Sequence, residues 1–192
     1  KASIATPALD SLYQTNKFNT FIKSGIQYKT EDFENERNRI TTNFRNNGAY
    51  YFQPNYVTFN IDTIKKVNQA NINLLINNYS YQDRDSTRTE PFKLYKISDV
   101  NIYTDYSPSK NTLNISDSTI YKNFNLYSQN KLKYKPKAIT NAVFITKGGL
   151  YADYKTVLTT RYLNNLKIFN YPSIQYEVDK RDSTAQSLIA KI

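Results

Sequence analysis

One pattern in this chain occurs twice. Phe144-Ile145-x-x-Gly148-x-x-Tyr151 repeats Phe21-Ile22-x-x-Gly25-x-x-Tyr28. Further on, Leu158-Thr159-Thr160-x-Tyr162-x-Asn164-Asn165 repeats Ile40-Thr41-Thr42-x-Phe44-x-Asn46-Asn47, and Pro172 stands where Pro54 stood. The copies differ in length only around the start of the helix between the blocks. A repeat at this spacing means one supersecondary unit used more than once. The 192 residues therefore divide into two units of under 100 residues, each with a modest core.

Inside each copy the hydrophobic period changes along the chain. Pro7 suits a first helical turn, with Leu9, Leu12 and Tyr13 behind it. Lys17 to Lys23 reads as a short helix ended by Ser24-Gly25. Thr30 is placed to cap the next helix, with Glu31 and Asp32 near its positive end and Phe33, Arg37, Ile40 and Phe44 at helical spacing. Beyond Pro54 the period becomes two. Val57, Phe59 and Ile61 alternate with Tyr56, Thr58, Asn60 and Asp62, and Ala70, Ile72, Leu74 and Ile76 repeat the alternation after a loop over 63–69. The first unit reads helix, helix, strand, strand, with its opening strand missing or upstream.

The second unit opens with a strand at Tyr95–Thr104, where Val100 and Ile102 are out of phase with Ile97, as a bulge near Ser98-Asp99 would make them. A helix is expected over Pro136–Thr146. A second follows from Asp153, with Tyr154, Val157, Leu158, Tyr162, Leu163 and Leu166 as its apolar stripe. Strands follow at Ile174–Val178 and Gln186–Ile192. The domains expected are 1–81 and 94–192, joined by a polar linker over 82–93, with an insertion at 106–127 in the second. Lys131–Lys137, the densest basic run, reads as an edge strand blunted by charge, with an anionic partner as the lesser reading.

The residue inventory excludes much chemistry. There is no His and no Cys, so imidazole bases, thiolates, disulfides and zinc sites of the usual kind are absent. No catalytic, metal or cofactor site is expected. Glu31, Asp32, Glu34 and Glu36 read as helix capping and dipole compensation rather than a metal cluster. The charge of +10 invites anionic partners, but 18 Tyr and 24 Asn beside abundant Lys and Ile point to a compositional habit. No aromatic strand of the RNA-binding type occurs, so no nucleic acid is expected. A glycan-binding β-sandwich needs more strands and fewer helices than this pattern holds. The chain begins at Lys1 and contains no Met, so a piece of a longer protein is expected.

Gly148-x-x-Tyr151, the ladder Thr160-x-x-Leu163-x-x-Leu166-x-x-Phe169 and the strand Ile174-x-Tyr176 resemble the polypeptide-transport-associated (POTRA) domain of BamA/TamA-type outer-membrane proteins. The Asn, Tyr and Lys content resembles a Bacteroidetes TamA-like lipoprotein member. The resemblance implies an α+β fold of two tandem β-α-α-β-β domains, each a small mixed three-stranded sheet backed by two helices. It implies a periplasmic location, attachment to the outer membrane through a C-terminal barrel outside this piece, and no enzymatic activity. Partners would be unfolded outer-membrane proteins or envelope assembly proteins, added as extra strands at the sheet edges. The edge strand would be the second of each unit, giving Tyr56, Thr58, Asn60, Ile174, Tyr176 and Val178 as binding residues. The alternative is a structural spacer in a secretion or envelope complex with no client.

Overall fold

In the computed structural model, which describes residues 1–63, 69–105 and 115–192, the chain forms two units, Lys1–Leu94 and Tyr95–Ile192. Both are α+β.

The first unit does have its opening strand. β1 (Ala2–Ile4) runs parallel to β3 (Asn71–Ile76), pairing Ala2 with Leu74 and Ile4 with Ile76. Three residues are too few for a period-two pattern to stand out, which is why the sequence hides it. Pro7 then starts α1 (Pro7–Asn16), since the first helical turn needs no N–H there. α1 runs into a single 3-10 turn, Lys17–Asn19. The helix expected over 17–23 is not formed, because the Phe21 N–H bonds the Glu36 carboxylate instead of a helical carbonyl. α2 (Thr30–Asn46) begins where the Asp32 carboxylate accepts the Lys29 N–H at 2.7 Å. Glu36, Ile40 and Phe44, four apart, form its buried face. β2 (Val57–Asp62) pairs antiparallel with β3, as the alternation predicts, and the sheet order is β1-β3-β2. Leu9, Ile40, Phe44, Phe52, Val57, Leu74 and Ile76 fill the core between sheet and helices. Most of the loop expected over 63–69 lies outside the described residues.

The stretch expected as a linker over 82–93 is largely structured. β4 (Tyr79–Asp83) and β5 (Ser86–Glu90) form an antiparallel hairpin that belongs to the first unit. Its strands are polar, so alternation does not betray it. It is held by Tyr79, whose ring meets Tyr51, Tyr56 and Phe92 at centroid distances of 5.5, 6.4 and 5.7 Å.

The second unit has a mixed sheet of order β7-β8-β6-β10-β9. β6 (Lys96–Tyr103), β10 (Ser187–Lys191) and β9 (Gln175–Val178) make the expected three-stranded core. The bulge is there: the β6–β10 register skips Ser98, whose hydroxyl bonds Leu188 O. The 106–127 insertion, whose residues 106–114 lie outside the described residues, adds β7 (Asp117–Tyr121) and the start of β8 (Phe124–Ser128). β8 lies parallel beside β6. α3 is one turn, Pro136–Thr140, shorter than expected. Past Thr140 the chain tightens into turns, with Ala142 N–H on Ile139 O and Val143 N–H on Thr140 O, and the Phe144 N–H then donates to Thr159 Oγ1 at 3.0 Å. α4 (Asp153–Asn165) buries Thr159 and Leu163, while Tyr154, Val157 and Tyr162 of the expected stripe are exposed. Lys131–Lys135 is coil with bends at Lys131 and Tyr134 and joins no ladder, so it is not an edge strand.

Gly25 and Gly148, equivalent in the repeat, have φ of 78° and 82°. Both sit in the loop before the long helix rather than at a helix C-cap, and both need the left-handed conformation that glycine adopts cheaply.

Candidate binding edges

Backbone direction decides what each edge strand offers. In β3, Ile72 O, Leu74 N and Ile76 O all bond toward the β1 side, to the Lys1 ammonium, Lys1 O and Ala5 N at 2.8–2.9 Å. Asn71, Asn73 and Leu75 therefore turn their backbone groups toward β2. Their partners are Asp62, Asn60 and Thr58. By the alternation of a ladder, Val57, Phe59 and Ile61 direct their N–H and C=O groups outward. β2 has one strand neighbour, β3, among the described residues.

The open edge begins at Phe59. Val57 N–H donates to Pro54 O, and Val57 O accepts from Arg37 Nε at 3.1 Å. Beside the edge, α2 supplies one wall of a groove. The Phe33 ring lies 5.0 Å from the Phe59 ring and 5.4 Å from the Tyr28 ring, and the Arg37 guanidinium lies 5.8 Å above Phe59. Ile61 is 44% exposed at the far end. The groove wall is aromatic, topped by the Arg37–Glu34 ion pair, which suits a strand of alternating apolar and polar residues.

The expected residues of this edge are out of phase by one. Thr58 and Asn60 spend their backbone groups on β3, and the Thr58 hydroxyl bonds Leu75 O at 3.0 Å. Tyr56 sits in a 3-10 turn, with its ring against Phe92 and its hydroxyl against the backbone of Ser80, so it holds the hairpin rather than the edge. The outward backbone groups belong to Phe59 and Ile61, which the sequence pattern does not single out, and Arg37 occupies the carbonyl before them. The phase becomes readable only once β1 is known to take the other side of β3.

Beneath the groove a cavity of about 290 Å³ is lined by Tyr13, Thr20, Ile22, Glu36, Phe59 and Leu74. Glu36 is 1% exposed and accepts from Arg39 Nε at 2.9 Å, Arg39 Nη2 at 2.7 Å and the Phe21 N–H at 3.1 Å. It is thus a buried ion-pair partner, not part of a helix-start cluster. The bond to Glu36 holds the Arg39 guanidinium pKa above its ordinary value. Burial raises that of the neighbouring Tyr13 hydroxyl.

At β9 the ladder register fixes which backbone groups face outward. Asp179 N–H bonds Ser187 O at 2.8 Å, so Glu177 and Gln175 also face β10, and Tyr176 and Val178 turn their backbone groups outward, while Ile174 lies just before the strand. The Tyr176 hydroxyl shares a 2.6 Å hydrogen bond with Thr156 Oγ1, and its ring meets Tyr151 edge-on at 5.2 Å. Beyond the strand, Arg181 chelates Asp179 with Nε at 2.8 Å and Nη2 at 2.7 Å and also bonds Asp99, which Lys147 Nζ holds at 2.7 Å. These partners keep both carboxyls below the usual range, Arg181 chiefly for Asp179 and Lys147 chiefly for Asp99. Among the described residues no group of three or more acidic side chains is placed to hold a metal, and no helix is long and apolar enough to cross a membrane.

No family model and no curated protein matches the sequence. The structure does match solved ones. Superposed on BamA from Haemophilus ducreyi lacking POTRA domains 1–3, it gives a TM-score of 0.55 at 10% identity, over all of this chain and 27% of that one. The fold is the POTRA fold. Haemophilus influenzae BamA POTRA3–5 gives 0.49 at 8% identity, over all of this chain and 58% of that one. The chain thus spans less than two thirds of either structure. To the POTRA pattern of sheet and two helices this chain adds the β4–β5 hairpin and the β7–β8 pair.

Proposed function

We propose that this is the periplasmic POTRA region of an outer-membrane barrel protein of the BamA/TamA type, which assists assembly or translocation of outer-membrane proteins by taking client or partner strands onto β2 and β9. The composition favours a Bacteroidetes TamA-like member, with the barrel in another part of the chain. The observation that carries the reading is the β2 edge. Phe59 and Ile61 present outward backbone groups next to a groove walled by Phe33 and Arg37. An added strand gains main-chain hydrogen bonds from the edge and specificity from alternate side chains in the groove. The spacer reading draws support from the occupied group at Val57 and the closed end of β9 at Asp179, which shorten both edges.

Titration with an unfolded outer-membrane barrel peptide tests this, read by backbone amide chemical shifts. Shifts centred on Phe59–Ile61 and Ile174–Val178, with the facing sides of α2 and α4, are expected. An unchanged spectrum at millimolar peptide leaves the spacer reading.

A further inference from the structure

The second unit has another edge, which the POTRA pattern does not account for. β7 has one strand neighbour, β8, among the described residues. On β8, Tyr127 O bonds Thr104 N–H on the β6 side, so Ser128, Leu126 and Phe124 turn toward β7. Their partners Asp117, Thr119 and Tyr121 are thereby used. Ser118 and Ile120 direct their backbone groups outward. The Ile120 side chain is 76% exposed, on the sheet face that carries the stacked rings of Tyr103 and Tyr127, 5.2 Å apart.

Each end of this edge carries exposed lysines, one end alongside the Asp117 and Asp105 carboxylates. Leu132 N–H bonds the Asp117 carboxylate at 2.9 Å, which brings Lys131 and Lys133 to one end of β7. Half-buried Leu132 and Tyr134 anchor the run, Tyr134 against Phe169 at 5.8 Å, and Lys131, Lys133, Lys135 and Lys137 are all exposed. Lys122 stands in the turn at the other end, 5.7 Å from the Tyr121 ring. None of these five lysines has an ion-pair partner among the described residues, and the chain holds no Asp or Glu over 106–114.

We propose that β7 is a second strand-addition site, selective for an extended acidic polypeptide segment with an apolar centre. Main-chain bonds at Ser118 and Ile120 supply the pairing. Ile120 and Tyr127 receive the apolar centre, and Lys122 and Lys131/Lys133 receive carboxylates at its ends. In antiparallel β7–β7 pairing Lys122 of each copy would meet Lys131 and Lys133 as well as Asp117 of the other, so the charge favours an acidic segment over a second copy. The site is independent of β2 and β9.

The test uses the whole 192-residue chain and two blocked hexapeptides, Glu-Thr-Val-Thr-Val-Glu and its Lys-ended counterpart. Amide hydrogen exchange at Ser118 and Ile120 should slow with the Glu-ended peptide alone. Lys131→Gln with Lys133→Gln, which touches no ladder bond, should weaken its binding at least tenfold in low salt. Ile120→Pro removes an outward N–H and should abolish the protection, with exchange at Val100 and Leu126 as the control for folding. Equal binding of the Lys-ended peptide, or binding undiminished by either variant, overturns the proposal. Protection confined to β2 or β9 also overturns it, while leaving the client-binding reading intact.

Discussion

Arg37 Nε donates to Val57 O at 3.1 Å, so a helix side chain occupies the first outward carbonyl of β2. The same guanidinium pairs with Glu34 and lies over Phe59. It shortens the edge open to an incoming strand. Arg37→Met keeps the aliphatic stem and releases the carbonyl. The expected cost is about 1 kcal/mol of stability in urea unfolding, together with tighter binding of a barrel peptide whose protection now reaches Val57. Weaker peptide binding would mean that Arg37 acts as a contact of the groove rather than a stop.

Thr41 and Thr159 occupy the same place in the repeat, yet their hydroxyls differ. Thr159 Oγ1 takes the Phe144 N–H. In the first unit Glu36 takes the equivalent Phe21 N–H, and the buried Thr41 hydroxyl has no partner among the described residues. Thr159→Val orphans a buried N–H and should cost about 1–3 kcal/mol. Thr41→Val removes an unsatisfied hydroxyl and should stabilise by roughly 1 kcal/mol. Thermal unfolding of both variants checks the opposite signs; equal signs would mean the equivalence is only one of sequence.

These same residues explain what the sequence makes legible. The β2–β3 pair is readable because Val57, Phe59, Ile72, Leu74 and Ile76 alternate at the strand period and one face is buried. The α4 face is misread because Thr159, a polar residue, takes a core position once its hydroxyl is satisfied, and the aromatic stripe around Tyr162 is left outside. β4, β5 and β7 are mostly Ser, Thr, Asp and Gln, so hydrophobic period carries no signal there. Their pairing is set by contacts outside the strands, Tyr51 and Phe92 against Tyr79 for the hairpin and Leu126 opposite Thr119 for β7. Which strands are edges follows from the repeat. Which backbone groups face outward depends on register, and no residue type reports that.

Glu36 and Arg39 form an ion pair buried under the candidate groove, with the Glu36 side chain 2% exposed. Removing one partner strands the other charge. Glu36→Gln should cost about 3 kcal/mol, whereas Glu36→Met with Arg39→Met should cost clearly less, since the uncompensated charge is gone. A double-mutant cycle in urea measures the difference. Additive losses would show that the two side chains contribute through packing alone.

Tyr176 joins the β9 edge to α4 through its 2.6 Å bond with Thr156. Tyr176→Phe and Thr156→Val should each cost about 1 kcal/mol, and the double variant little more than either. Because strand addition at β9 uses backbone groups, Tyr176→Phe should leave peptide binding there within a few-fold. A large loss of binding would assign the hydroxyl to the partner instead.

Acid should loosen the β9–β10 turn in a defined window. Arg181 and Lys147 hold the Asp179 and Asp99 carboxyls below the ordinary Asp value of about 3.9. A lowered folded pKa means that the unfolded chain binds protons first as pH falls. The contribution of the cluster is therefore complete above about pH 5, shrinks as pH drops through about 4, and is lost only below the lowered folded values. Unfolding free energy measured from pH 6 to 2 should fall less steeply in Asp99→Asn than in the parent. High salt should flatten the parent curve as well, because Arg181 is 68% exposed and its attraction is screened. Parallel slopes in parent and variant would place the acid sensitivity elsewhere, with Asp105 the next group to test: Gln129, Ser128 and Asn130 bond its carboxylate and lower its pKa against the opposing pull of burial.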